Sequence, residues 1–99
     1  SVMTTQTLFD RGLEVDAIAA KRGLDAATIV GHLEALLAHG AAIDLSRLIA
    51  HDRVQLIVAT LEKHGDVRLK PAYEALGSDY RYEELRLVRA WRHGKRMPG

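Results

Sequence analysis

The chain has 99 residues, 47% of them apolar, and fourteen Lys/Arg against thirteen Asp/Glu leave a net charge of +1. That length allows one ordinary domain with a real core and excludes a cofactor domain beside a catalytic one; the near-neutral balance names no partner. The absence of cysteine excludes a disulfide framework, Cys-ligated zinc and a thiol nucleophile, and no apolar run approaches the ~18–20 residues of a membrane span.

The apolar spacing is helical nearly throughout, with no clear period-two segment. A first helix is predicted over 5–11, with Leu8 inward and Gly12 as its left-handed stop. A second, over 15–22, turns Val15, Ile18 and Ala19 inward and ends at Gly23. Asp25 is then a good N-cap, its carboxylate placed to accept amide protons of the next turn. The third helix follows over 26–39 with Ile29, Leu33, Leu36 and Leu37 as its apolar stripe, and Gly40 ends it. Ile43 and Leu45 form a connector able to pair as a minimal strand, and Asp44 can cap a short helical turn through Leu48. A fourth helix over 52–63 faces Val54, Ile57, Val58 and Leu61 inward. A fifth over 69–76 carries Pro71 in its first turn, where the missing N–H costs nothing. The last runs from Tyr82 to about His93. The expected fold class is all-α: a compact multi-helix domain with a helix-turn-helix core, winged-helix-like at most, followed by a second helix pair. One domain should span 4–93, with 1–3 and 94–99 as flexible termini. With no signal-peptide pattern at the start, a cytoplasmic location is expected.

The run from Ile18 to Leu33 is the most informative. Ala19 is small enough to let a second helix approach, Gly23 permits a left-handed turn, Leu24 plugs the corner, and Ile29 and Leu33 lock the next helix into the core. The outward face of that helix is expected to carry Ala26, Ala27, Val30, Gly31, Glu34 and Ala38. Readers of the major groove place Arg, Lys, Asn or Gln there. This face has none, so only Thr28 and His32 remain to touch a phosphate or a base, or to serve local packing.

These segments resemble the helix-turn-helix domain at the C-terminal end of some RecQ-type ATP-dependent DNA helicases. The resemblance spans about 5–90. It rests on Gly12, Ile18-Ala19, Arg22-Gly23-Leu24, Thr28-Ile29, Gly31-His32-Leu33, Gly40 and Ile43-Asp44. Its specific part is Arg68-Leu69-Lys70-Pro71, Glu74-Ala75-Leu76, and Tyr82 with Glu84-Leu85-Arg86-Leu87-Val88. The corner alone also resembles response-regulator domains of the LuxR type. The family tends to place Ser or Thr before the Tyr that opens the last helix, forming a capping box with the following Glu; here the position is Arg81. The resemblance implies a non-catalytic accessory domain. Its parent would be an ATP-dependent DNA helicase of DNA repair and recombination, whose motor lies elsewhere. Its partners would be single-stranded or forked DNA, bound with low specificity, and the remainder of the helicase.

Charge is uneven along the chain. Residues 1–80 hold eight Lys/Arg and eleven Asp/Glu, whereas 81–99 hold six and two. At ~100° per residue, Arg86, Arg89, His93 and Arg96 share one side of the last helix, with Leu85, Leu87, Val88 and Trp91 over the other. Such a stripe suits a phosphate backbone or, alternatively, a solvated helix whose cations favour its C-terminal dipole end. The expected nucleic-acid contacts are Arg68, Lys70, Arg86, Arg89, Arg92 and Arg96, with Thr28 and His32. Trp91 is either a base-stacking platform or a core residue. Gly94-Lys95-Arg96 lacks the rest of a phosphate-binding loop. His32 and His39 lie two turns apart, ~10 Å, too far for one zinc. No catalytic residue, metal site or cofactor is expected, and no enzymatic activity. The rival readings are a protein-interaction module that uses the helix-turn-helix face and the DNA-binding domain of a transcription regulator.

Overall fold

The computed structural model describes residues 1–96 and contains six α-helices with one 3-10 turn. They are α1 (Val2–Asp10), α2 (Val15–Arg22), α3 (Ala26–Ala38), α4 (His51–His64), α5 (Lys70–Leu76) and α6 (Tyr82–Lys95), with the 3-10 turn at Leu45–Arg47. There is no strand among the described residues, so the domain carries no wing. None of the described helices is long and apolar enough to cross a membrane.

α3 is the central element. α1, α2 and α6 all pack on it, and the α3–α6 interface is the most extensive among the described residues. α4 lies against both α6 and α5. The apolar stripes meet as expected: Ile18, Ile29, Leu33, Leu37, Ile57, Leu61, Leu85 and Val88 are fully buried with Phe9.

The corner forms as its residues dictate. Gly23 adopts the left-handed conformation (φ 67°, ψ 32°). The reversal lets Leu24 N–H bond Ala19 C=O at 3.0 Å and Gly23 N–H bond Ala20 C=O, the paired pattern that satisfies a helix's last carbonyls. Asp25 Oδ1 accepts the Thr28 amide at 2.7 Å, and the Thr28 hydroxyl, then this amide, hold the Asp25 carboxyl below its ordinary value.

Several expectations are corrected. Leu24 does not plug the corner; it is 37% exposed, and a polar cluster of Thr5, Arg22 and His32 joins α1, α2 and α3. Val30, expected outward, is buried at 8% exposure, since α1, α2 and α6 all pack on α3. Ile43 and Leu45 form no strand: both are buried, and Asp44 between them starts the 3-10 turn by accepting Ser46 N–H at 3.0 Å and Ser46 Oγ at 2.6 Å. α1 already begins at Val2 and α6 continues through Gly94 to Lys95. The rest of the tail, 97–99, lies outside the described residues.

Gly94 sets the approach of α6 to α3. A Cβ built on it would stand 1.9 Å from the Leu37 carbonyl oxygen and 3.1 Å from Gly40 N. Only a hydrogen fits there. Gly40 ends α3 at φ +83° and meets the Gly94 carbonyl in return.

Candidate nucleic-acid interface

On α3 the exposed positions are Ala26, Ala27, Thr28, Gly31 and Ala35, a smooth surface of small side chains. Thr28 lies exposed at its N-terminal end, where its amide and its hydroxyl both face the Asp25 carboxylate. Glu34 borders the face, half-buried, and holds Arg86 at 3.2 Å. The surface carries none of the Arg, Lys, Asn or Gln side chains that pair two-pronged with a base edge.

His32 does not join that surface. Arg22 Nη1 donates to Thr5 Oγ1 at 2.6 Å and also faces His32 Nδ1 at 3.4 Å; a guanidinium can only donate, so Nδ1 is assigned as an acceptor, and the buried Thr5 hydroxyl donates to it at 2.8 Å. The ring proton therefore sits on Nε2. Burial, then the charge of Arg22, holds the His32 pKa below its ordinary value. The unfolded chain thus binds this proton first as the pH falls. The cluster's contribution to stability is complete above about pH 6.5, the unfolded value, and is lost as the pH drops through the folded value. In a urea titration against pH, the midpoint of the parent is expected to fall below pH 6.5 more steeply than that of His32→Asn, whose amide oxygen keeps the acceptor without titrating. Parallel curves would refute the neutral acceptor role.

The basic side of α6 is largely spent within the fold. Arg86 pairs with Glu34. Arg89 Nη1 donates to the carbonyls of Asp66, at 3.1 Å, and Val67, at 3.4 Å. His93 Nε2 donates to Asp66 Oδ2 at 2.9 Å. Arg92, only 12% exposed, stands 3.9 Å from Glu62 and 3.8 Å from Asp66, outside hydrogen-bonding range of either. Its Nη1 is buried without a hydrogen-bond partner. The hydrogen bond from His93, with the charges of His93, Arg92 and Arg96 around it, holds the Asp66 carboxyl below its ordinary value. Three side chains of α6 therefore converge on one loop, residues 65–69. Trp91 is half-buried against the core, with Lys95 Nζ 4.2 Å above its ring.

Arg68 and Lys70 are exposed on and beside that loop and, like exposed Arg96, make no ion pair among the described residues. The expected contact residues thus fall into three groups. Arg68, Lys70, Arg96 and Thr28 are open to solvent. Arg86, Arg89 and Arg92 are engaged, and His32 is internal. The brace at Asp66 was not foreseen; its only sequence signal is Arg89 and His93 one turn apart on the helix, with an unassigned Asp in the preceding turn region.

A family model described as "Helix-turn-helix domain" matches residues 1–89 of the chain. No curated protein matches significantly, and no solved structure does.

Proposed function

The chain belongs to the helix-turn-helix domain family, and from that premise we propose that it binds DNA through phosphate contacts without reading sequence. It would do so as a non-catalytic accessory domain of a RecQ-like, cytoplasmic ATP-dependent DNA helicase. The observation that carries this reading is the division of labour on the surface: the exposed positions of α3 are Ala26, Ala27, Thr28, Gly31 and Ala35, whereas Arg68, Lys70 and Arg96 are cations that make no ion pair among the described residues. Phosphate contacts give affinity and register but no sequence information. The RecQ placement rests on the residue resemblance, above all Arg68-Leu69-Lys70-Pro71 and the Tyr82 to Val88 segment.

The test is a salt-dependent anisotropy titration with single-stranded, duplex and forked DNA of unrelated sequences. Affinity is expected to be independent of sequence and to fall linearly with log salt, about 0.9 units of slope per phosphate contact on duplex. Arg68→Ala with Lys70→Ala and Arg96→Ala should remove up to about three units of slope. Arg86→Ala and Arg89→Ala should act mainly on stability. An absence of binding at ~50 mM salt, where backbone contacts are strong, would overturn the reading.

One observation favours a second reading, a protein-interaction surface on α3. Gly31 is exposed in mid-helix and nothing lies within 4 Å of a Cβ placed on it, so the isolated fold has no steric need of glycine there. Gly31→Ala should stabilise the domain by about 0.5–1 kcal/mol, measured by urea denaturation, and leave DNA affinity unchanged. A stabilised variant that loses DNA binding would move the contact surface to α3.

A further inference from the structure

The loop between α4 and α5 combines three properties. Its tip is apolar and bare: Val67 is 91% exposed, against 63% for Met3 and 49% for Leu56, the next most exposed large apolar side chains. Its C-terminal flank is cationic, with Arg68 and Lys70 exposed and free of ion pairs among the described residues, and Asp66 precedes the tip. Its backbone is held rather than slack. Arg89 binds the carbonyls of Asp66 and Val67, His93 binds the Asp66 carboxylate, and Leu69, 8% exposed, anchors the far side. Because the Val67 carbonyl is held by Arg89, the Val67 side chain is presented to solvent in a fixed place. A β-branched side chain also has little χ1 freedom to lose on binding.

A braced apolar knob followed by two free cations matches a nucleic-acid feature that offers an apolar slot next to backbone phosphates. A continuous duplex has no such slot, because its bases are stacked. The junction of duplex with single strand has one, where the last pair meets an unstacked neighbour. Apolar side chains are known to enter base steps when flanking cations hold the backbone. We propose that residues 66–70 form a junction-recognising wedge. Arg68 and Lys70, both C-terminal to the knob, hold phosphates beside the fork, and Val67 fills the gap beside the last base pair. This rests on the DNA-binding reading and adds a substrate preference to it.

The experiment uses the whole chain, with Val67→Ser and the double variant Arg68→Ala/Lys70→Ala. Probes are a blunt duplex, a single strand and a fork carrying 2-aminopurine at the last paired position. All variants should melt with the parent, since the altered side chains are exposed. Val67→Ser is expected to weaken fork binding about fivefold, to abolish the 2-aminopurine increase seen with the parent, and to leave duplex affinity unchanged. The double variant should weaken all three DNAs by roughly tenfold or more at 0.1 M salt and flatten the slope by about two units. If the parent binds all three DNAs and Val67→Ser is indistinguishable from it on the fork, the wedge is refuted while DNA binding stands. If the parent binds no DNA at ~50 mM salt, the underlying reading fails and the wedge with it; an acidic protein groove would then be the surface to which this loop is complementary.

Discussion

Gly94→Ala is expected to lower the melting temperature by roughly 12–24 °C, corresponding to a loss of about 3 kcal/mol in a domain of this size. The added methyl would stand 1.9 Å from the Leu37 carbonyl oxygen, and the neighbours on that side are backbone, at Leu37 and Gly40. Backbone cannot rotate away as the end of a side chain can. The helices must therefore separate where the largest interface of the fold is formed, and the strain of overpacking adds to lost dispersion along both. The same chemical change at Gly31 is the internal control, since it meets nothing. Calorimetry on the two variants should show shifts of opposite sign. A Gly94→Ala protein melting within a few degrees of the parent would mean that α3 and α6 do not approach as described.

Arg53→Ala is expected to cost about 2–3 kcal/mol, because it leaves a carboxylate buried without its cation. Arg53 forks onto Glu84, with Nε to Oε2 at 2.9 Å and Nη2 to Oε1 at 2.8 Å. It also donates to the Asp79 carbonyl at 2.7 Å and covers the Tyr80 ring at 4.0 Å. Glu84 in turn accepts the Arg81 amide at 3.0 Å, so half of a capping box survives at a position where arginine has no side-chain acceptor to complete it. One guanidinium thus ties the start of α4 to the start of α6 and to the loop between α5 and α6. Those bonds hold the Glu84 pKa below its ordinary value, the hydrogen bonds from Arg53 being the main cause. Its stabilisation is present above the unfolded carboxylate value, about 4.3, and is lost as the pH falls through the lower folded value. Urea denaturation of parent and Arg53→Ala should therefore differ fully at pH 7 and progressively less below pH 4. A difference at pH 7 under about 0.5 kcal/mol, the range of ordinary surface substitutions, would show that the fork carries no load.

What was legible in the sequence is what is decided locally. Gly23 and Asp25 fix the corner through their own backbone and the next turn, and the stripe of Ile29, Leu33 and Leu37 follows from helical period alone. Boundaries were read less well where a distant partner decides them. Gly94 falls in the tail expected to be flexible, yet it lies within α6, packed where Leu37 and Gly40 leave room only for glycine. Val30 looked outward because periodicity gives the direction of a side chain but not the number of neighbours around the helix. The same limit applies to the cations. The spacing of Arg86, Arg89 and His93 placed them on one side of α6; it could not reveal that Glu34 and the carbonyls of Asp66 and Val67 lie opposite them. Arg53 and Arg47 gave no signal, since their partners, Glu84 in one case and the Phe9 and Leu13 carbonyls in the other, are 31 to 38 residues away.

The seat of α3 against α6 also orders events at synthesis. The corner is complete in sequence by Leu37, but the surface that covers one side of its central helix belongs to the last element, and Gly94 must be in place before the two can close. At about 5–20 residues per second the nascent corner waits on the order of 3–10 s for its cover. During that interval Leu33, Leu36 and Leu37 have only α1 and α2 to shelter them. The helix-turn-helix of this domain is therefore not a self-sufficient unit to which helices were appended; it is finished from the C-terminal side, after translation has passed the whole domain.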